Sequence, residues 1–174
     1  MGKGDSTSRM LLLMRHGKAM SDAASDHARE LTDRGRDQAC LIGDYLRSQG
    51  VVPDAALVSS AERAQQTWSA VADRLGAEPE DVRTVDDIYE AGPAELLDII
   101  HGIDSSARIV MVVGHEPTIS ALSHWLASEE SDSGSVAQAR IGMPTGGLAV
   151  LSGSLKKWKD LSEDALDLLT IVRP

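Results

Sequence analysis

Phenylalanine is absent from this 174-residue chain, and aromatic residues make up only 3% of it. That leaves little with which to stack nucleic acid bases. Positive charge is also in deficit: 17 Lys and Arg face 27 Asp and Glu, a net charge of -10. Such a surface repels phosphate backbones, so nucleic acid is not an expected partner. Cys40 is the only cysteine, which excludes an internal disulfide framework and a cysteine-based metal site. It falls in a helical pattern and reads as a small packing residue. No apolar run nears the roughly 18 residues needed to span a bilayer, so no membrane association is expected. No apolar signal core follows Lys3, and a cytoplasmic location is the expectation.

What remains is the composition of a soluble globular protein, 42% hydrophobic and 25% charged, in a length suited to one domain. Residues 1 to 8 read as a flexible polar tail and 9 to 174 as the domain. Gly2 and Ser6 match a loose myristoylation pattern, but a pattern so short is often accidental. No repeat, low-complexity block or internal boundary is evident, and a monomer is expected.

Strand-like and helical patterns alternate along the chain. Residues 10–14 (MLLLM) form a continuous apolar strand. Thr32 is placed to cap a helix over about 33–49, with Ala39, Ile42, Tyr45 and Leu46 on one face and Gly50 as its stop. A strand over 55–58 precedes a helix over about 61–75. A weak strand over 82–85 leads to Gly92-Pro93 and a helix over about 94–101. Residues 108–113 (RIVMVV) are the clearest strand, and Pro117 opens a helix to about Leu126. The stretch "ASEESDSGSV" reads as a polar loop, and strands follow over 147–152 and 167–172. Continuous apolar strands between amphipathic helices predict an α/β fold, one mainly parallel sheet with helices on both faces.

Ligands of such sheets bind beyond the carboxyl ends of the strands. Three segments there carry unusual residues: Arg15-His16-Gly17, "SSAERAQQT" over 59–67, and "GHEPTIS" over 114–120. Ser59 and Glu62 have capping-box spacing, which puts Arg63 in a first helical turn. A cation there opposes the helix dipole by a few tenths to about 1 kcal/mol, a cost that solvent or a bound anion would offset. His115 lies between a strand-ending glycine and a helix-opening proline. Each segment alone has a plainer reading: a polar strand end, an exposed arginine, a hydrogen-bonding loop histidine. Together they set two arginines and two histidines at three strand ends. Two guanidinium groups suit the oxygens of a phosphoryl group, and a neutral imidazole nitrogen can attack phosphorus in line.

Strand-Arg-His-Gly, then Ser-x-x-x-Arg-Ala-x-Gln-Thr, then Gly-His-Glu-Pro resembles the histidine phosphatase superfamily, which includes the phosphoglycerate mutases. "SDHARELTDRGRDQA", "LVSSAERAQQT" and "VVGHEPTIS" are most similar to its small bacterial SixA-type phosphohistidine phosphatases, and the likeness runs from Met10 through almost the whole chain. The resemblance implies a phosphoglycerate mutase-like fold and no cofactor. It makes His16 the phosphorylated nucleophile and Arg15, Arg63 and His115 the phosphate pocket. Gly17 would let the backbone approach the phosphate, and Arg29 would reach the rim. Glu90 is a candidate general acid and Asp22 another, unless no acid is needed, because imidazole leaves more readily than an alkoxide. His27, His101 and His124 match no motif and read as structural or exposed. A zinc site on His16 and His115 is disfavoured by the two arginines and by the lack of a carboxylate or cysteine at ligand spacing.

Only 27 positions separate Arg63 from Glu90, and 25 separate Glu90 from His115. That leaves no room there for the long insertions that lid the mutases. The expected function is therefore hydrolysis of phosphoryl groups displayed on protein histidine, through phospho-His16. The alternatives are a broad or small-molecule phosphomonoesterase and a non-catalytic phosphate-binding module.

Overall fold

A computed structural model describes residues 7–174. Six strands form one sheet in the order β3-β2-β4-β1-β5-β6. They are β1 (Ser8–Arg15), β2 (Ala55–Ser59), β3 (Asp81–Val85), β4 (Ile109–Gly114), β5 (Leu148–Ser154) and β6 (Asp167–Val172). β1 to β4 pair in parallel, and β5 runs antiparallel to both of its neighbours, β1 and β6. The helices are α1 (Asp33–Ser48), α2 (Glu62–Leu75), α3 (Pro93–His101), α4 (Thr118–Leu126) and α5 (Ser133–Ile141).

The apolar strands are continuous because both faces of the sheet are covered. Side chains alternate across a strand, so β1 sends Leu11 and Leu13 into one core and Leu12 and Met14 into the other. α1 and α2 close the second of these, with Ile42, Leu46, Trp68 and Val71 packed on Met14, Val58 and Val113. α3, α4 and α5 close the first, where Leu96, Ile100, Ile119 and Leu122 meet Leu13, Leu57 and Val112. Burial on both faces of the strands supplies the main driving force, on the order of 25 cal/mol per Å² of apolar surface.

β2, β4 and β1 are adjacent, and all three motif segments leave from the same edge. Arg15 stands opposite Gly114, and Val58 opposite Val113. Strand pairing thus brings together residues that lie about a hundred positions apart.

Several expectations need correction. Ser8 already belongs to β1, so the strand starts within the expected tail; Gly2 and Ser6 lie outside the described residues. The stretch read as a polar loop leads directly into α5. Asp132 caps that helix by accepting from the Ser135 amide at 2.9 Å, and its own amide donates to Leu168 at 2.9 Å. A local cap and one tertiary bond therefore override the helix-poor composition. The expected capping box at Ser59 does not form either: Ala61 holds the cap position of α2, and the Ser59 hydroxyl is engaged elsewhere. No helix among the described residues is long and apolar enough to cross a membrane.

Candidate functional site

β1 delivers His16 at its carboxyl end, and the backbone there is pinned on both sides. The His16 amide donates to Gly114 at 3.0 Å, and its carbonyl accepts from Gly146 at 2.9 Å. The imidazole is 9% exposed. Its Nδ1 lies 2.7 Å from the Gly17 carbonyl oxygen. A carbonyl can only accept, so the proton sits on Nδ1 and Nε2 is left unprotonated, its lone pair turned to Arg63. Burial, opposed by the bond to Gly17 and reinforced by Arg63 and Arg15, pushes the imidazole pKa down to about 4. His16 is thus a neutral base at neutral pH, with a defined tautomer.

Arg63 extends from the first turn of α2 and is buried. Its Nε donates toward His16 Nε2 at 3.3 Å. The other two nitrogens are occupied by Asp26: one donates to its carbonyl at 2.8 Å, the other to Oδ2 at 3.2 Å. The Gln-Thr that ends the second motif has a structural use. Thr67 donates to the Arg63 carbonyl at 2.7 Å and accepts from the Gly17 amide at 3.0 Å. One hydroxyl therefore fixes the loop carrying His16 against the turn carrying Arg63.

Arg15 donates to the Met143 carbonyl at 2.8 Å, while its buried Nε has no partner. His115 follows β4, and its ring centroid lies 5.2 Å from that of His16. Its Nε2 is 2.7 Å from Ser59 Oγ, and its buried Nδ1 is unpartnered. Burial, with His16 and Arg63 nearby, pushes its pKa down to about 3. These two buried polar atoms could bond a polar ligand.

Sequence reasoning missed Asp26 and Tyr89. Asp26 ties Arg63, Arg29 and Tyr89 together, accepting from Arg29 at 3.0 Å and from the Tyr89 hydroxyl. These partners, the Tyr89 hydroxyl foremost, hold its carboxyl well below the usual carboxylate range. Tyr89 also sets its ring at 78° to His115, with centroids 5.6 Å apart, and at 83° to His27. Asp26 gave no usable local signal, because residues 21–30 form no helix and its partner Arg63 lies 37 positions away. Tyr89 gave no local signal, since only the fold brings it over His115.

Arg29 donates to the Asp26 carboxylate at 3.0 Å and to the Met20 carbonyl at 2.7 Å. Glu90 is exposed and is not brought against these groups; with Asp86, Asp87, Tyr89, Glu95 and Asp98 it lines an open hollow of about 440 Å³ beside them. Asp22 is exposed as well. Gly17 has a packing role. A Cβ there would lie 2.5 Å from the Gly35 carbonyl oxygen of α1. Its amide and carbonyl are both used within the protein, so its smallness serves helix packing. His27 bonds Ser60 at 2.9 Å and His101 the Leu161 carbonyl at 2.7 Å.

The segment between β1 and α1 also narrows the site. It rests on the start of α2 through Asp26 on Arg63 and the His27 carbonyl on the Glu62 amide. His16 is thereby not freely open.

A family model for the histidine phosphatase superfamily (branch 1) matches residues 11–96. A solved structure from Nakamurella multipartitia, named for the phosphohistidine phosphatase SixA, is 33% identical, with 96% of each chain covered and a TM-score of 0.84. The phosphohistidine phosphatase SixA of Escherichia coli is 33% identical over 114 residues, 64% of this chain and 70% of that protein. The protein histidine phosphatase SixA solved with tungstate is 25% identical, covering 95% of this chain and 97% of that one, with a TM-score of 0.73. The phosphoglycerate mutase-like fold implied by the strand-end motifs is the fold observed.

Proposed function

This chain belongs to the histidine phosphatase superfamily and is a phosphatase; we propose that it acts on phosphohistidine in proteins, with His16 as the nucleophile. The observation that carries the reading is the state of His16: Nδ1–H bound to Gly17, and an unprotonated Nε2 whose lone pair accepts from Arg63 Nε at 3.3 Å.

In the first step Nε2 attacks phosphorus in line. The P–N bond to the substrate imidazole breaks, its electron pair returns to that ring, and solvent supplies the proton. Arg63, Arg15 and His115 hold the non-bridging oxygens, supplying charge where it builds up in the transition state. Water then attacks phosphorus, the P–Nε2 bond breaks, and His16 regains its lone pair.

One feature favours phosphohistidine over alkyl esters. Asp26, the carboxylate in direct contact with Arg63 and Arg29, is held ionised by Tyr89, Arg29 and Arg63. An ionised carboxylate cannot protonate a departing alkoxide. An imidazole leaves without such help. The names of the SixA relatives, one of them solved with the tetrahedral oxyanion tungstate, support the same reading.

The test compares hydrolysis of a phosphohistidine protein, p-nitrophenyl phosphate and an alkyl phosphate by wild type and His16→Ala. The proposal expects the phosphohistidine protein to be hydrolysed fastest and all turnover to require His16. Preference for the alkyl ester would establish a small-molecule phosphomonoesterase instead. Binding without turnover would establish a phosphate-binding module.

A further inference from the structure

Ser59 is fully buried at the end of β2, and its hydroxyl has two neighbours. The Ala61 amide lies 3.3 Å from Oγ and His115 Nε2 lies 2.7 Å from it. The amide can only donate, so Oγ accepts there. Among the described residues, that leaves His115 Nε2 as the place for the hydroxyl proton. Were Nε2 to carry a proton and donate to Oγ, the Ser59 hydroxyl hydrogen would be buried with no acceptor, an arrangement folded proteins avoid.

We propose that Ser59 is a positioning residue that fixes His115 as its Nδ1–H tautomer, presenting that N–H as a donor to a phosphoryl oxygen. The inference rests on the reading of His115 as part of the phosphate pocket. Two facts converge on it. His115 Nδ1 is buried and without a partner in this structure, as a donor reserved for a ligand would be. The imidazole is also neutral over the working range, since its pKa is pushed down to about 3. Only one of its nitrogens therefore carries a proton, and which one decides the function. With the proton on Nδ1, the ring offers a hydrogen bond to the anion. With the proton on Nε2, Nδ1 would turn a lone pair toward a negatively charged oxygen and repel it.

The same serine explains why its position in the second motif matters although it caps no helix. Its side chain reaches across from β2 to the loop after β4, so the tautomer of His115 depends on the register of two neighbouring strands. No sequence spacing reveals that link.

The test uses wild type, Ser59→Ala, His115→Ala and the double variant. Readouts are the ring nitrogen chemical shifts of His115 and the affinity for vanadate. Wild type should show a protonated Nδ1 and an unprotonated Nε2 on His115. Ser59→Ala should show a mixture of tautomers and bind vanadate roughly tenfold more weakly, the loss of about one well-aligned hydrogen bond to a charged acceptor. In the His115→Ala background the same change should have no further effect, because the serine acts through the ring. A purely structural serine would lower the unfolding temperature without moving the tautomer. The inference fails if wild-type His115 carries its proton on Nε2, or if Ser59→Ala leaves shifts and affinity unchanged while His115→Ala weakens vanadate. If His115→Ala itself binds vanadate as wild type does, the reading of His115 as part of the pocket fails, and the role of Ser59 falls with it.

Discussion

Arg63 Nε stands 3.3 Å from His16 Nε2, so the cation meant for the phosphoryl oxygens already touches the atom meant to attack phosphorus. Burial holds the imidazole neutral, and the pairing adds to it, because a second positive charge beside a guanidinium is disfavoured. The pairing also means an entering phosphoryl group must slide between the two, exchanging one hydrogen bond for stronger charge-assisted ones.

The acid side of the pH scale reads this arrangement. An ordinary histidine pKa is 6.5, and that of His16 is pushed down to about 4. In ring-nitrogen NMR, His16 should therefore show no titration between about pH 8 and pH 5. A folded pKa below the unfolded one means the unfolded chain binds more protons as pH falls. Stability is thus present in full above pH 6.5 and is lost as pH drops toward 4, with His115 acting in the same direction. His16→Ala should flatten that slope in thermal unfolding. A His16 titration near 6.5 would contradict the burial argument.

Arg63→Ala and Arg15→Ala should each lower kcat/KM by about 100-fold or more, since both remove contacts to charge that develops in the transition state. Vanadate inhibition should weaken in parallel. Near-normal efficiency in Arg63→Ala would reduce that residue to a structural link between α2 and Asp26.

Asp26→Ala should have a smaller effect of the same sign. Arg63 keeps its bond to the Asp26 backbone carbonyl but loses the carboxylate, so a fall of roughly tenfold in kcat/KM is expected. That fall should vanish in an Arg63→Ala background. If it persists there, Asp26 acts on the substrate rather than on the arginine.

How much of this was legible follows from where each constraint lies. β1, β2 and β4 were readable because burial on both faces requires unbroken apolar runs, and helix α1 because Thr32 caps it locally. Arg15, His16, Arg63 and His115 were readable because each lies at a strand end or just beyond one. Asp26 and Tyr89 were not, because their partners, Arg63 and His115, lie across the fold. The packing role of Gly17 was not legible: its neighbour is Gly35 of α1, a contact that exists only once helix and strand have packed. Ser59 was assigned to a cap because local spacing allows one, whereas its hydroxyl bonds a residue 56 positions away.

Glu90 separates two substrate classes. Glu90→Gln should leave hydrolysis of a phosphohistidine protein unchanged, because imidazole departs without a strong acid. The residue is exposed in the hollow beside the site, consistent with that outcome. A strong loss on alkyl phosphates together with good wild-type activity on them would instead make Glu90 a proton donor and the enzyme a phosphomonoesterase.

The most direct measurement is rapid-quench trapping with a protein carrying labelled phosphate on histidine. The account requires transient label on this chain that is acid-labile and alkali-stable, maps to His16, and disappears in His16→Ala while that variant remains folded. Turnover with no label on His16, or appreciable turnover by His16→Ala, would contradict the nucleophile assignment on which the mechanism rests.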